Sequence, residues 1–301
     1  MQSVRFQIWL GLFLIWSAAS LSLFGSDDGL KARIKKRVSV FVFEDKTNNS
    51  WHWWDRRSLG EGISDIITAE LRKMGNYSII RAQEPAAAHA EKPDTVAPGD
   101  AVDVELAIYG TVTEFGYEKD NRSGRLRDFG IDIHSRTATV ALECRMVNGR
   151  SGEIVGVEKV RKQRSSQGIR VDTWSIKFES RKAFDESLVG KATRDAVREV
   201  LRLVDKNAVL VDWQAKVVEQ KNGHVYIDAG SQCGIKAGDQ FVVYHKGEEL
   251  INPDTGSSLG SMDNKIGKIK VSKADLDGGK ASECRILEGS GFQSGDLVRL
   301  E

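Results

Sequence analysis

The chain has 301 residues, enough for two modest domains. Lys plus Arg total 44 against 43 for Asp plus Glu, so it lacks the basic excess of a nucleic-acid binder, and no such partner is expected. Three Cys and five scattered His, with no C-x-x-C, exclude a disulfide-built scaffold and offer no zinc site. No metal or cofactor is expected.

At the N-terminus, Arg5 precedes the apolar run Ile8–Trp16, then Ser17, Ala18, Ala19 and Ser20. This is the charged, apolar, small-residue order of a secretory signal. Residues 1–26 are read as a signal peptide cut between Ala19 and Asp27. The alternative is an uncleaved anchor, since stretching the run to Phe24 gives about 17 residues, the short limit for a spanning helix. Lys31 to Arg37 reads as a basic, solvated link.

The first strand follows. Val38, Val40 and Val42 alternate with Ser39, Phe41 and Phe43, so both faces are largely apolar, as in a strand covered on both sides. A polar loop then carries Trp51, His52, Trp53, Trp54 and Asp55. Beyond it Ile63, Ile66, Ile67, Leu71 and Met74 fall on one helical face, with Gly75 as C-cap. Tyr77–Arg81 reads as a strand. Residues 82–100, rich in Ala, Pro, Glu and Asp, read as a surface excursion or a plain linker. Leu106–Tyr117 is a third strand in which Gly110 and Gly116 mark a close approach or bend. Phe129, Ile131 and Ile133 alternate, and Val140, Leu142, Cys144 and Met146 alternate farther on. Asn148–Gly152 is a turn before a strand over Glu153–Val160. Leu188, Ala192, Ala196, Val197, Val200 and Val204 make a second amphipathic helix.

The ordered series VFVFEDKTNNSW, LGEGISDIITAEL, Ile108–Gly110, Phe129–Ile133, Val140–Glu153 and the helix ending near Val204 resembles the curli assembly/transport family, CsgG, over roughly residues 37–204. The resemblance implies a mixed sheet with flanking helices. It also implies that the loop after the first strand narrows a channel, a role carried by position to Trp51, His52, Trp53, Trp54 and Asp55. Those three indoles could instead cap the domain's own core. Members of the family are typically lipoproteins anchored through a Cys after the leader. None follows here, so no lipid is expected.

From Val209 the pattern changes to short β runs: Ala215–Val218, Val225–Ile227, Phe241–Tyr244, Ile266–Val271, Ala281–Ile286 and Leu297–Leu300. Gly and polar turns separate them, which suits a small all-β barrel. Gly234–Asp239 and Gly291–Asp296 echo each other as Gly-x-x-x-Gly-Asp, read as paired turns rather than a repeat. In each the glycines allow positive φ and the Asp bonds turn amides. This region resembles the C-terminal domain of the flagellar protein FlgT. The expected fold is therefore α+β: residues 27–208 as a CsgG-like domain and 209–301 as a small β domain.

No motif points to catalysis. Asp45, Asp55, Glu61 and Asp65 have no nucleophile or metal motif beside them; Asp45 is expected to order its loop and Asp65 to lie on the helix's wet face. Cys233 and Cys284 could form a disulfide in an exported protein or remain two thiols. Cys144 is expected in the core.

The resemblance further implies two membrane hairpins, near Lys119–Val140 and Lys159–Ser187. Lipid-facing candidates on them are Phe129, Ile131, Ile133, Ile169, Val171, Trp174, Ile176 and Phe178. Their opposing arms are mostly charged, and Arg or Lys facing lipid at midplane costs about 2–4 kcal/mol each. The implied function is non-enzymatic: an exported protein of the periplasm or outer membrane of a Gram-negative-type bacterium. It would form or assist a homo-oligomeric ring, a secretion channel for curli-like fibre subunits passed as unfolded polypeptide. The alternative is a soluble periplasmic scaffold or adaptor that contacts other envelope proteins.

Overall fold

The computed structural model describes residues 27–47, 56–81, 103–118, 124–125, 132–168, 180–253 and 258–301. They fall into two compact units: residues through Ile34 with Ala215–His245 and Lys265–Glu301, and Lys35–Gln214 with Lys246–Asn264. The described chain opens with α1 (Asp27–Arg33), which groups with the first of these, the barrel unit.

The other unit is a mixed sheet with helices. β1 (Lys36–Val40) is parallel to β3 (Tyr77–Ile79) on one side and to β4 (Leu106–Glu118) on the other; β2 (Glu44–Asp45) also runs parallel to β4. β6 (Asp132–Asn148) is antiparallel to β4, to β7 (Ile154–Gly168) and to the short β5 (Gly124–Arg125).

α2 (Leu59–Met74) starts at a capping box. Ser58 accepts from the Glu61 amide and the Glu61 carboxylate accepts from the Ser58 amide, which satisfies two amides that the first turn leaves open. Gly75, left-handed at φ 75°, ends it. Leu59, Ile63, Ile67 and Leu71 are buried and Ile66 and Met74 partly so, as the periodicity predicts. α3 (Arg181–Glu186) leads into α4 (Leu188–Ala208), whose Ala192, Ala196, Val197, Val200 and Val204 pack in the same core as Leu106, Ile108, Val140, Leu142, Cys144 and Met146. Small side chains let α4 lie close on the sheet.

Two predicted details hold. A Cβ on Gly110 would stand 2.2 Å from the Phe43 ring, so its absence makes room for that ring under the sheet. In the 148–152 turn, Asn148 Oδ1 accepts from the Arg150 amide at 3.0 Å and Gly152 is left-handed at φ 73°. One expectation is revised: the residues through Arg37 are not a solvated link. Residues 27–33 are helical, Arg37 is buried against Glu105, and Lys36 Nζ donates to the Ala208 carbonyl at 2.6 Å. Burial lowers the Lys36 pKa. The far face of the sheet carries a small cluster, Phe41, Val104, Ala107 and Val147, with Phe41 and Tyr109 stacked at 4.5 Å. A short hairpin, β11 (Glu249–Ile251) with β12 (Ser258–Ser261), also groups with this unit.

The barrel unit closes in the order β10 (Gln240–His245), β13 (Asn264–Leu276), β14 (Ala281–Gly289), β9 (His224–Ile227), β8 (Gln214–Lys221), β15 (Leu297–Arg299). Asn222 and Gly223, at φ 52° and 77°, form the tight hairpin turn read from the sequence. The Gly-x-x-x-Gly-Asp echo is more than a pair of turns. Gly238 N donates to Val271 O and Val271 N to Asp239 O, at 2.9 and 2.8 Å; Gly295 N donates to Val217 O and Val217 N to Asp296 O, both at 2.8 Å. Asp239 Oδ2 accepts from the Lys236 amide, and Asp296 Oδ2 from the Gln293 amide, each at 2.7 Å. Each turn therefore latches the first strand of the other hairpin. β8–β9 with the first turn and β10 forms one half, and β13–β14 with the second turn and β15 forms the other.

Cys233 and Cys284 are not joined in a disulfide. Both are buried thiols in this unit, Cys233 in a 3-10 turn and Cys284 inside the barrel on β14.

Candidate functional site

The register of the sheet brings its open segments to one end. Glu118 at the end of β4 pairs with Thr137 of β6, Thr137 pairs with Ser165 of β7, and His134 pairs with Gly168. The chain between β4 and β6 and the chain after β7 therefore leave from the same end. β2 runs parallel to β4, with Asp45 opposite Val112, so the tryptophan loop departs in the same direction. It returns through Arg56, which is left-handed at φ 66°, to the start of α2.

The base of that loop is fixed by polar contacts. Asp45 Oδ1 accepts from the Thr47 amide at 2.9 Å and from its hydroxyl at 2.7 Å, the loop-ordering role expected for Asp45. Ser64 on α2 accepts from the Phe43 amide at 3.0 Å and donates to the Phe41 carbonyl at 2.8 Å. A Cβ on Gly60 would overlap the Phe43 carbonyl, so helix and strand end meet backbone to backbone.

At this end a small cleft of about 120 Å³ lies between the first half of α2 and α3. Arg57, Asp65, Ile66, Ala69, Arg181 and Phe184 line it. Arg57 pairs with Asp65, and Asp185 at its edge pairs with Arg194 at 2.5 Å. Arg57, just before the α2 cap, and Arg181, the first residue of α3, both stand at it. Two arginines and two aspartates around an apolar floor suit contact with polypeptide, because they offer donors, acceptors and a dry patch without a nucleophile. Among the described residues, no group of three or more His, Cys, Asp or Glu could hold a metal.

Farther along, β7 makes ion pairs with neighbouring strands, Lys159–Glu143 at 2.8 Å and Arg161–Glu114 at 2.9 Å, and with α4, Lys162–Glu199 at 3.6 Å and Arg164–Asp195. The Arg164 hydrogen bond holds the Asp195 carboxyl below the usual range. Within Lys159–Ser187, the second segment for which the resemblance implies a hairpin, Lys159–Gly168 belongs to β7. It pairs with β6, with Val160 buried, and α3 takes up Arg181–Glu186.

Trp51, His52, Trp53, Trp54 and Asp55 lie outside the described residues, as do Phe129, Ile131, Ile169, Val171, Trp174, Ile176 and Phe178, and the leader 1–26. Ile133 is in β6, paired with Gly124. The cleft residues Arg57, Arg181, Phe184 and Asp185 were not foreseen. The capping Ser58 and Ser180, each starting a helix, were their one sequence signal.

The family model of the curli production assembly/transport component CsgG matches residues 27–233. This chain belongs to the CsgG family. The CsgG match takes in α1, the whole α/β unit apart from the 246–264 hairpin, and the barrel only as far as Cys233, just before the first Gly-x-x-x-Gly-Asp turn. A search of curated proteins finds no relative. Among solved structures, a hypothetical protein from Chlamydia trachomatis is 16% identical, covering 58% of this chain and 99% of its own, at TM-score 0.46. A lipoprotein from Neisseria meningitidis is 16% identical, covering 57% and 99%, at 0.31. The PelC dodecamer from Paraburkholderia phytofirmans is 15% identical, covering 56% and 88%, also at 0.31. Among the described residues, no helix is long and apolar enough to cross a membrane.

Proposed function

We propose that this CsgG-family protein acts in the cell envelope of a Gram-negative-type bacterium as a non-enzymatic, ring-forming assembly or transport component for an exported, unfolded polypeptide. The observation that supports this is the convergence at one end of the sheet. The base of the tryptophan loop, the strand ends from which the two excursions leave, and the Arg/Asp cleft lie there. In a ring, that end places a polypeptide-binding rim around a passage, with the three indoles as its contact residues. Aromatic side chains are effective anchors when they are desolvated on assembly. The barrel, with its FlgT-like pattern, serves as a second contact module.

The test is membrane fractionation with and without detergent, followed by size measurement, on wild type and the W51A/W53A/W54A variant. The expected result is an oligomer that the triple variant breaks into folded subunits with an unchanged melting midpoint. A wild-type monomer, or a triple variant that melts several degrees lower, overturns the reading. An oligomer released only by detergent would restore the full pore.

A further inference from the structure

The two Gly-x-x-x-Gly-Asp turns share one plan for their aspartates. One carboxylate oxygen, Oδ2, is spent on the turn itself, accepting the amide three residues back. The other, Oδ1, faces a nitrogen of a side chain from outside the turn in both. Asp296 Oδ1 lies 2.8 Å from His245 Nδ1, and Asp239 Oδ1 accepts from Arg33 Nη2 at 2.8 Å.

In the first turn the cation comes from far along the chain. Arg33, at the end of α1, donates from Nη1 to Asp239 Oδ2 at 3.1 Å and to the Gly234 carbonyl. The guanidinium is thus gripped by a carboxylate and a carbonyl together, a geometry that its planar fork fits and an ammonium does not. Gly234 completes the fit. A Cβ there would stand 2.2 Å from the Arg33 carbonyl oxygen, so the strap rests on bare backbone. At the equivalent Gly291 nothing described lies within 4 Å of such a Cβ. The arrangement at Gly234 is therefore a fitted seat and not a by-product of the turn, which forms equally well without it.

α1 is a slight strap. It has seven residues, Leu30 is its one buried apolar side chain, and the Arg33 side chain stays 27% exposed while paired. Such a segment sits at the low-stability end of a fold and opens locally. We propose that the Gly234–Asp239 turn is a guanidinium-binding socket, closed in cis by Arg33, that takes an arginine-bearing segment of a partner polypeptide when α1 withdraws. The socket recognises an arginine side chain on an extended or helix-terminal backbone, and Arg33 competes for it at high local concentration. It lies in the barrel unit and depends on none of the residues invoked for the ring.

The experiment uses the full-length chain and a fluorescent peptide of residues 27–36, DDGLKARIKK, with citrulline in place of arginine as the uncharged control. The R33A variant should bind the arginine peptide at least tenfold more tightly than wild type. R33A/D239N should lose that gain, and the citrulline peptide should bind none of the three. Equal binding by R33A and R33A/D239N, equal binding of the citrulline peptide, or no binding by a folded R33A each overturns the socket. Should R33A not fold, hydrogen exchange of α1 in the wild type decides. Millimolar arginine peptide should speed exchange across residues 28–34 and the citrulline peptide should not; no difference between them overturns the proposal.

Discussion

Arg37 and Glu105 form an ion pair at 3.0 Å sealed inside the α/β unit, with the Glu105 side chain wholly buried. Arg150, from the turn between β6 and β7, reaches the same carboxylate at 2.7 Å, and both arginines donate to the Gln214 carbonyl. One carboxylate thus ties the start of β1, the start of β4, the 148–152 turn and the end of the unit's main segment.

Removing that carboxylate deprives the buried Arg37 guanidinium and the partly buried Arg150 guanidinium of their shared anion. The E105A variant should lose about 3–5 kcal/mol of stability. The exposed pair Arg161–Glu114, at 43% and 41% exposure, is the internal comparison, and R161A should cost about 0–1 kcal/mol. Urea midpoints of the two variants at pH 7 check this. Equal losses would mean that Glu105 is solvated in the native protein.

The Gly110–Phe43 fit makes a coupling testable by a double-mutant cycle. G110A forces its methyl into the Phe43 ring and should destabilise by about 1–3 kcal/mol. F43L vacates part of that space, so F43L/G110A should lose less than the sum of the single variants. Strict additivity would show that the ring can move aside unaided.

Ser64 presents a similar case in polar form. S64A leaves the Phe43 amide and the Phe41 carbonyl beneath α2 without their hydroxyl partner. The expected loss is about 1–3 kcal/mol, the cost of burying an unmet polar group. S64T, which keeps the hydroxyl, should recover part of it in thermal melting. Were S64T as destabilised as S64A, shape and not hydrogen bonding would set the cost.

The thiols give a pH signature. Burial pushes Cys144 up to about 12, and burial with the neighbouring Glu283 charge does the same to Cys284. Unfolded thiols ionise nearer 9, so between about pH 9 and 12 the unfolded chain holds fewer protons and stability falls as pH rises. C144A/C284A should flatten that slope in denaturant titrations from pH 8 to 10. In native buffer iodoacetamide should leave Cys144 and Cys284 unmodified, and in denaturant all three cysteines should label without reductant. A Cys233–Cys284 bridge would instead leave a single reactive thiol.

The helices, the strands and the tight turns were legible in the sequence because each is set by local chemistry. The 3.6-residue spacing of Ile63, Ile67 and Leu71, the left-handed Gly75 and Gly152, and the alternation along β1 are satisfied by residues a few positions apart. The order of motifs carried the family as well. The pairing of Arg37 with Glu105 and of Arg33 with Asp239 left no such trace, because a charged run reads as solvated until its partner, 68 or 206 positions away, is brought beside it. The thiols of Cys233 and Cys284 were undecided for the same reason: a bridge depends on where two Cβ atoms point. The gathering at one sheet end of the strand ends that lead into the three excursions, and the interlocked halves of the barrel, follow from strand register, a relation between distant segments. The sequence by itself determined what each segment becomes. Tertiary structure decided which segments meet, because the contacts that fix register and bury charge are made only once the chain has closed on itself.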